Sequence, residues 1–135
     1  MAKNDDLKKK YEKLKSYEEE ARTLSKELDD IEDRSFRISQ TIEALDKLSG
    51  EEEGSNALFP IADGIFVKGK LVDNSGLLVN SGSGTVVEKS VDETKQMLEK
   101  QSDEMEEYKQ RIMSRMTSID EKAYEIQYEI TKDSR

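Results

Sequence analysis

The chain contains no cysteine, no histidine and no tryptophan, and only one proline in 135 residues. Without cysteine there are no disulfides and no thiolate metal sites. Without histidine the commonest general base and the commonest transition-metal ligand are both missing. No apolar run approaches the roughly 20 residues that a membrane span needs. The opening stretch MAKNDDLKKK carries charge but no apolar core, so it does not read as a secretory signal, and the expected location is the cytoplasm. Apolar residues are scarce too, at 33% against 39% charged, which puts a large globular core out of reach. Two states suit that balance: partial disorder, or long helices that need only a narrow apolar seam. The formal net charge of −9 sets the chain against nucleic acid and anionic membranes, since both repel an acidic surface.

What the chain has in quantity is periodicity. Over residues 5–49 one row reads Leu7, Leu14, Ala21, Leu28, Ser35 and Ile42. A second row reads Lys10, Tyr17, Leu24, Ile31, Ile38 and Leu45. This alternation of three and four predicts a coiled-coil helix, with Asn4 or Asp5 as its cap and Gly50 as its stop. At 1.5 Å per residue it is about 65 Å long, and its seam needs a partner. Residues 50–57, GEEEGSNA, read as an exposed acidic linker. Residues 90–132 return to helix, opened by Ser90 and Glu93 at capping-box spacing. There Val91, Leu98, Met105, Ile112, Ile119 and Ile126 form one row. The companion row starts as Thr94, Gln101 and Tyr108, then shifts to Met116, Ala123 and Ile130. Two helices of similar length predict an antiparallel pair, with both termini together at its free end.

Residues 58–89 differ in kind. LFPI holds the lone proline, Pro60, and reads as an edge or irregular strand. GIFVKGKLV, LLVNS and TVVEK follow, divided by DNSG at 73–76 and GSG at 82–84. The expectation is four short strands in two hairpins. GIFVKGKL nearly spells a phosphate-binding loop, but Leu71 stands where a magnesium-binding Ser or Thr belongs, and no helix follows. It is read as strand, with Gly69 as a bulge or close backbone approach and Lys68 and Lys70 facing solvent. SGSG at 81–84 is read as a tight turn rather than an anion nest. The EEE at 51–53 and the helical acidic pairs are read as solvated surface rather than metal or general-acid sites. Apolar residues point to both faces: Ile65, Val67 and Leu71 one way, Phe66 and Val72 the other, with Leu78 opposing Leu77 and Val79, and Val86 opposing Val87. A small sheet with two apolar faces and open edges calls for other subunits to supply strands and cover.

At the free end of the helix pair, Leu7, Tyr11, Leu14, Tyr124, Ile126, Tyr128 and Ile130 come together. They are either the fraying end of a coiled coil or an exposed apolar tip that grips other proteins.

The run LFPIADGIFVKGKLVDNSGLLVNSGSGTVVEKSVDE, with Leu58 to Pro60, Phe66 to Lys70, Leu78 to Gly82 and Val86 to Lys89 in order, resembles the alpha class of prefoldin. The chain departs from that class at Ser81, Ser83 and the polar EEEGSN linker. The resemblance implies an α+β chain: a long antiparallel two-helix coiled coil with two small β-hairpins at the connection, assembling into an oligomeric β-barrel. It implies a hexamer of two alpha and four beta subunits that holds unfolded proteins at its coiled-coil tips and passes them to a group II chaperonin. No ATP, cofactor or metal is implied, and no enzymatic activity. The substrate-binding residues would be the seven of the tip. The assembly residues would be Ile65, Phe66, Val67, Leu71, Leu78, Val79, Val86 and Val87. The alternative is a homo-oligomeric structural coiled coil, a filament or spacer protein with the β segment as its joint.

Overall fold

The computed structural model describes residues 2–80 and 82–133. Helix α1 spans Ala2–Ser49 and helix α2 spans Val91–Asp133. Between them lie β1 (Asn56–Ala62), β2 (Ile65–Lys70), β3 (Gly76–Asn80) and β4 (Val86–Ser90). The chain forms two compact units, Met1–Ser35 with Glu104–Arg135, and Phe36–Asp103.

Both seam rows of α1 are out of water, every member buried or half-buried. Helix α1 begins at Ala2, so Asn4 and Asp5 lie inside it and do not cap it. Its end is as expected: Gly50 follows Ser49, and the amides of Gly50 and Glu51 bond back three residues, to Lys47 and Leu48.

On α2 the row from Val91 to Ile126 is likewise buried or half-buried. The companion row matches expectation only at its first member: Thr94 is buried, but Gln101 and Tyr108 are exposed, whereas Lys95, Ser102 and Lys109 are half-buried in phase with Met116, Ala123 and Ile130. The seam therefore never shifts. Its first three members on this row are polar, which hides the row from a search for apolar residues.

In the first unit, pairing between the helices is antiparallel. Lys10 donates to Asp133 at 2.8 Å, Arg115 grips Glu20 with bonds of 2.8 and 3.1 Å, and Lys109 stands 3.8 Å from Glu32. The Ser35 hydroxyl donates to the Met105 sulfur at 3.7 Å. Ile31, Ile112, Ile119 and Ile130 are the buried core, and Ile119 is 1% exposed. In the second unit Leu45 and Val91 are buried, and Lys95 pairs with Asp46.

The strands form two separate antiparallel two-stranded sheets, β1–β2 and β3–β4, and no barrel closes among the described residues. In the first hairpin the register runs from Asn56 opposite Lys70 to Pro60 opposite Phe66, then slips so that Ala62 faces Ile65. The irregularity falls at Pro60 to Ala62, next to the residue that cannot donate to the ladder. Asp63-Gly64 makes the turn, with left-handed backbone (φ 76°) at Gly64 alone. Gly69 holds regular register opposite Ala57 and is no bulge. It is a close approach instead: a Cβ there would stand 2.6 Å from the Phe59 ring.

The stretch resembling a phosphate loop is thus a ladder strand with Lys68 and Lys70 exposed. Leu71 and Val72 lie beyond its end.

At the DNSG segment the Asp73 carboxylate accepts from the Ser75 amide and hydroxyl, at 2.8 and 2.6 Å. Before β4, the Asn80 side chain accepts from the Gly82 amide at 2.9 Å. Ser81, part of the expected SGSG turn, lies outside the described residues. Strand β4 passes directly into α2: the Glu93 amide donates to the Ser90 hydroxyl at 3.0 Å, making Ser90 the cap that its spacing suggests.

Candidate functional site

The candidate sites among the described residues are surfaces. Among the described residues no group of three or more carboxylates is placed to hold a metal ion. The acidic 51–53 stretch belongs to the connector, where the Ser55 amide and hydroxyl both donate to the Glu52 carbonyl.

The first surface is the hairpin pair. Antiparallel register puts Ala57, Phe59, Val67 and Gly69 on one face of the first hairpin, and Leu58, Pro60, Phe66 and Lys68 on the other. Leu58, Phe59, Ile61, Ile65, Phe66 and Val67 are all exposed, so both faces and both edges are open.

The second hairpin is different. Val79, Val87 and Lys89 share a cleft with Met97 and Gln101 of α2, and the Lys89 ammonium points at the Met97 sulfur at 3.6 Å. Leu77 and Val79 are half-buried, while Leu78, on the opposite face, is 79% exposed. One face of this hairpin is therefore partly shielded by the chain's own helix, although Val87 on that face is still 40% exposed, and the sequence alone does not reveal the shielding.

Of the expected assembly residues, Ile65, Phe66, Val67, Leu78, Val86 and Val87 are exposed, and Leu71 and Val79 are half-buried. Leu58, Phe59, Ile61 and Val72 are exposed as well. The proline in LFPI draws attention away from β1, although a two-stranded sheet is all edge and tolerates it.

The second surface is the helical part of the first unit. The seven expected tip residues divide there. Leu7, Leu14 and Ile126 are half-buried and Ile130 is 7% exposed, so these four are seam residues. Tyr11, Tyr124 and Tyr128 stand outside the seam, and Tyr124 is 74% exposed. Tyr124 and Tyr128 are one turn apart on the outward side of α2. Further along α2, Tyr108 donates to Glu27 at 3.4 Å and carries the Arg111 guanidinium over its ring at 5.6 Å.

Charges are paired across the helices. The hydrogen bond from Arg115 holds the Glu20 carboxyl below its usual range. The bond to Asp133 raises the Lys10 ammonium above its own, with Asp6 and Glu129 adding to it.

Two helices joined in an antiparallel seam, with two short hairpins inserted between them, define a class of coiled-coil subunit whose sheets are left open for company. That class has a counterpart among known sequences. The prefoldin family, described as prefoldin subunit, matches residues 17–134, and the chain belongs to it. The prefoldin subunit alpha of Pyrococcus horikoshii is 35% identical over 89 residues, covering 66% of this chain and 59% of that protein. The prefoldin subunit alpha of Archaeoglobus fulgidus is 25% identical over 130 residues, covering 96% and 95%. Among solved structures, the filamentous PFD of Methanocaldococcus jannaschii superposes with a TM-score of 0.77 at 17% identity, over 87% of this chain and 98% of that one. Prefoldin is a family of chaperones rather than enzymes. Among the described residues, no helix is long and apolar enough to cross a membrane.

Proposed function

We propose that the chain is the alpha-type subunit of an ATP-independent holdase. It joins beta-type subunits, two alpha to four beta, through its hairpins. It captures unfolded proteins at the free ends of its helices and delivers them to a group II chaperonin in the cytoplasm. The family match across residues 17–134 carries this reading. The exposed apolar faces of the hairpins support the assembly step, because an isolated sheet so open needs strands or cover from elsewhere. The exposed Tyr11, Tyr124 and Tyr128 support the capture step: tyrosine offers a large contact area at low entropic cost. Each contact is weak, and several subunits engaging one client raise the total.

The test is in two stages. Light scattering of the chain alone, and after mixing with a beta-type subunit of the same source, should show a shift to a discrete species of six chains. That complex should then suppress aggregation of a denatured client. Replacing Tyr11, Tyr124 and Tyr128 together with serine should weaken suppression and leave the mass unchanged. A homomeric mass that ignores the partner, with no suppression, moves the reading to the structural coiled coil.

A further inference from the structure

The apolar seam rows repeat every seven residues, so they still face each other after α2 slides one heptad, about 10.5 Å, along α1. The polar seam positions have a longer period. In the first unit the half-buried Lys109 stands 3.8 Å from Glu32. In the second unit the half-buried Lys95 pairs with Asp46. Along α2 the two lysines are two heptads apart, with Ser102 midway. Along α1 the two carboxylates are also two heptads apart, with Ser39 midway and Ser25 one heptad earlier. Lysine and serine on one helix therefore answer carboxylate and serine on the other. A slip of one heptad puts Lys109 opposite Ser25 and Lys95 opposite Ser39. The same slip brings Arg115, now held by Glu20, opposite Lys13. A slip the other way puts Lys109 opposite Ser39 and carries Lys95 past the end of α1 at Ser49.

We propose that Lys95 and Lys109, with Asp46 and Glu32, form a register key that selects one of the heptad registers left equivalent by the apolar rows. Exposed ion pairs are individually weak, but selection needs only a difference between alternatives. A mismatched lysine keeps its stem in the seam while its ammonium loses its acceptor. All four are positioning residues, and what they position lies at the free end of the helices. There the Lys10 ammonium is 3.7 Å from Glu129, which sets the adjacent Tyr11 level with Tyr128. A slip separates the two tyrosines by two helical turns. Only this last step rests on the holdase reading.

The chain has no cysteine, so introduced thiol pairs report the register. Ser35→Cys/Met105→Cys marks the native register, because the Ser35 hydroxyl and the Met105 sulfur are 3.7 Å apart. Ser35→Cys/Leu98→Cys marks the slip. Each pair is placed in the full chain with its own key, and with the key moved by Glu32→Ser/Asp46→Ser/Ser25→Glu/Ser39→Asp. Disulfides are closed in a glutathione buffer and intramolecular products are separated on non-reducing gels. With its own key the native pair should close and the slipped pair stay open. With the moved key the native yield should fall and the slipped pair should close. Glu12→Ser/Glu18→Ser, which removes two exposed carboxylates outside the seam rows, should keep the parent pattern. Lys109→Glu alone should lower the native yield, and Lys109→Glu/Glu32→Lys should restore it. Ellipticity at 222 nm identifies the variants that stay helical.

An unchanged disulfide pattern in the helical chain with the moved key overturns the proposal. So does an equal change in the Glu12 and Glu18 control, or a Lys109 and Glu32 swap that restores nothing. Aggregation suppression by the parent complex is read separately. Its absence sinks the holdase reading and leaves the register key standing, whereas suppression with an unresponsive register does the reverse.

Discussion

Ile119 and Leu78 are both branched aliphatic residues of one short, highly charged chain. Ile119 is almost completely buried, and Leu78 is among the most exposed residues in the molecule. The difference lies in what each periodicity asks for. A seam repeating every seven residues needs one matching stripe, and the second helix of the same chain provides it. A strand repeating every two residues needs a layer on each apolar face. Helix α2 partly shields one face of the second hairpin and neither face of the first, among the described residues. The coil's seam residues are satisfied within the chain, and most apolar side chains of the hairpins are not.

The sharpest way to break this comparison is to remove the same kind of side chain from each place. Ile119→Ala should cost the isolated chain about 2–5 kcal/mol, because the well-packed seam cannot fully collapse onto the space. Leu78→Ala should stay within about 0.5 kcal/mol, since an exposed side chain forfeits little. Thermal melts followed at 222 nm report both. Equal losses would mean that the β3–β4 sheet is already covered on both faces in the isolated chain. A smaller effect is expected where the two regions join. Ser90 ends β4 and caps α2, so Ser90→Ala should cost about 1 kcal/mol by leaving the Glu93 amide without its acceptor. Ser90→Asp should restore most of it, and failure to do so would assign the loss to the strand end instead of the cap.

The parts most legible in the sequence obey one short rule each. Two heptad rows place α1's seam residue by residue, including Lys10, which is carried in the seam by its carboxylate partners. The cap at Ser90 and the turn at Asp73 follow from side chains that bond their own backbone neighbourhood. The companion row of α2 is hidden because Lys95, Ser102 and Lys109 occupy it. Long amphipathic side chains can line a seam with their stems while their charges reach out, and apolar pattern alone cannot see that. The start of α1 is misplaced because Asn4 and Asp5 look like caps yet continue as helix. The division of the tip residues follows the same rows: Leu7, Leu14, Ile126 and Ile130 are heptad members and are buried or half-buried, whereas Tyr11, Tyr124 and Tyr128 belong to no row and are exposed.

The smallest effect separates the two regions by acid. Glu20 in the first unit has its pKa lowered by the hydrogen bond from Arg115. Asp73 in the second has its own lowered by the Ser75 hydroxyl and amide. In each case the folded form favours the charged carboxylate. The stabilising contribution is therefore fully present above the unfolded-state pKa and is lost as pH falls through the lowered folded-state value. Glu20 joins two helices, so its protonation removes an interhelical clamp; Asp73 closes a turn that no helix uses. During acid titration from neutrality to below the ordinary carboxylate range, Glu20→Gln should flatten part of the parent's loss of signal at 222 nm. The difference should be small, because the pair is exposed, and smaller still in high salt. Asp73→Asn should leave the helical signal unchanged at every pH. If it moved the acid limb as Glu20→Gln does, the turn and the coil would be coupled in stability, and the seam would no longer stand independent of the sheets.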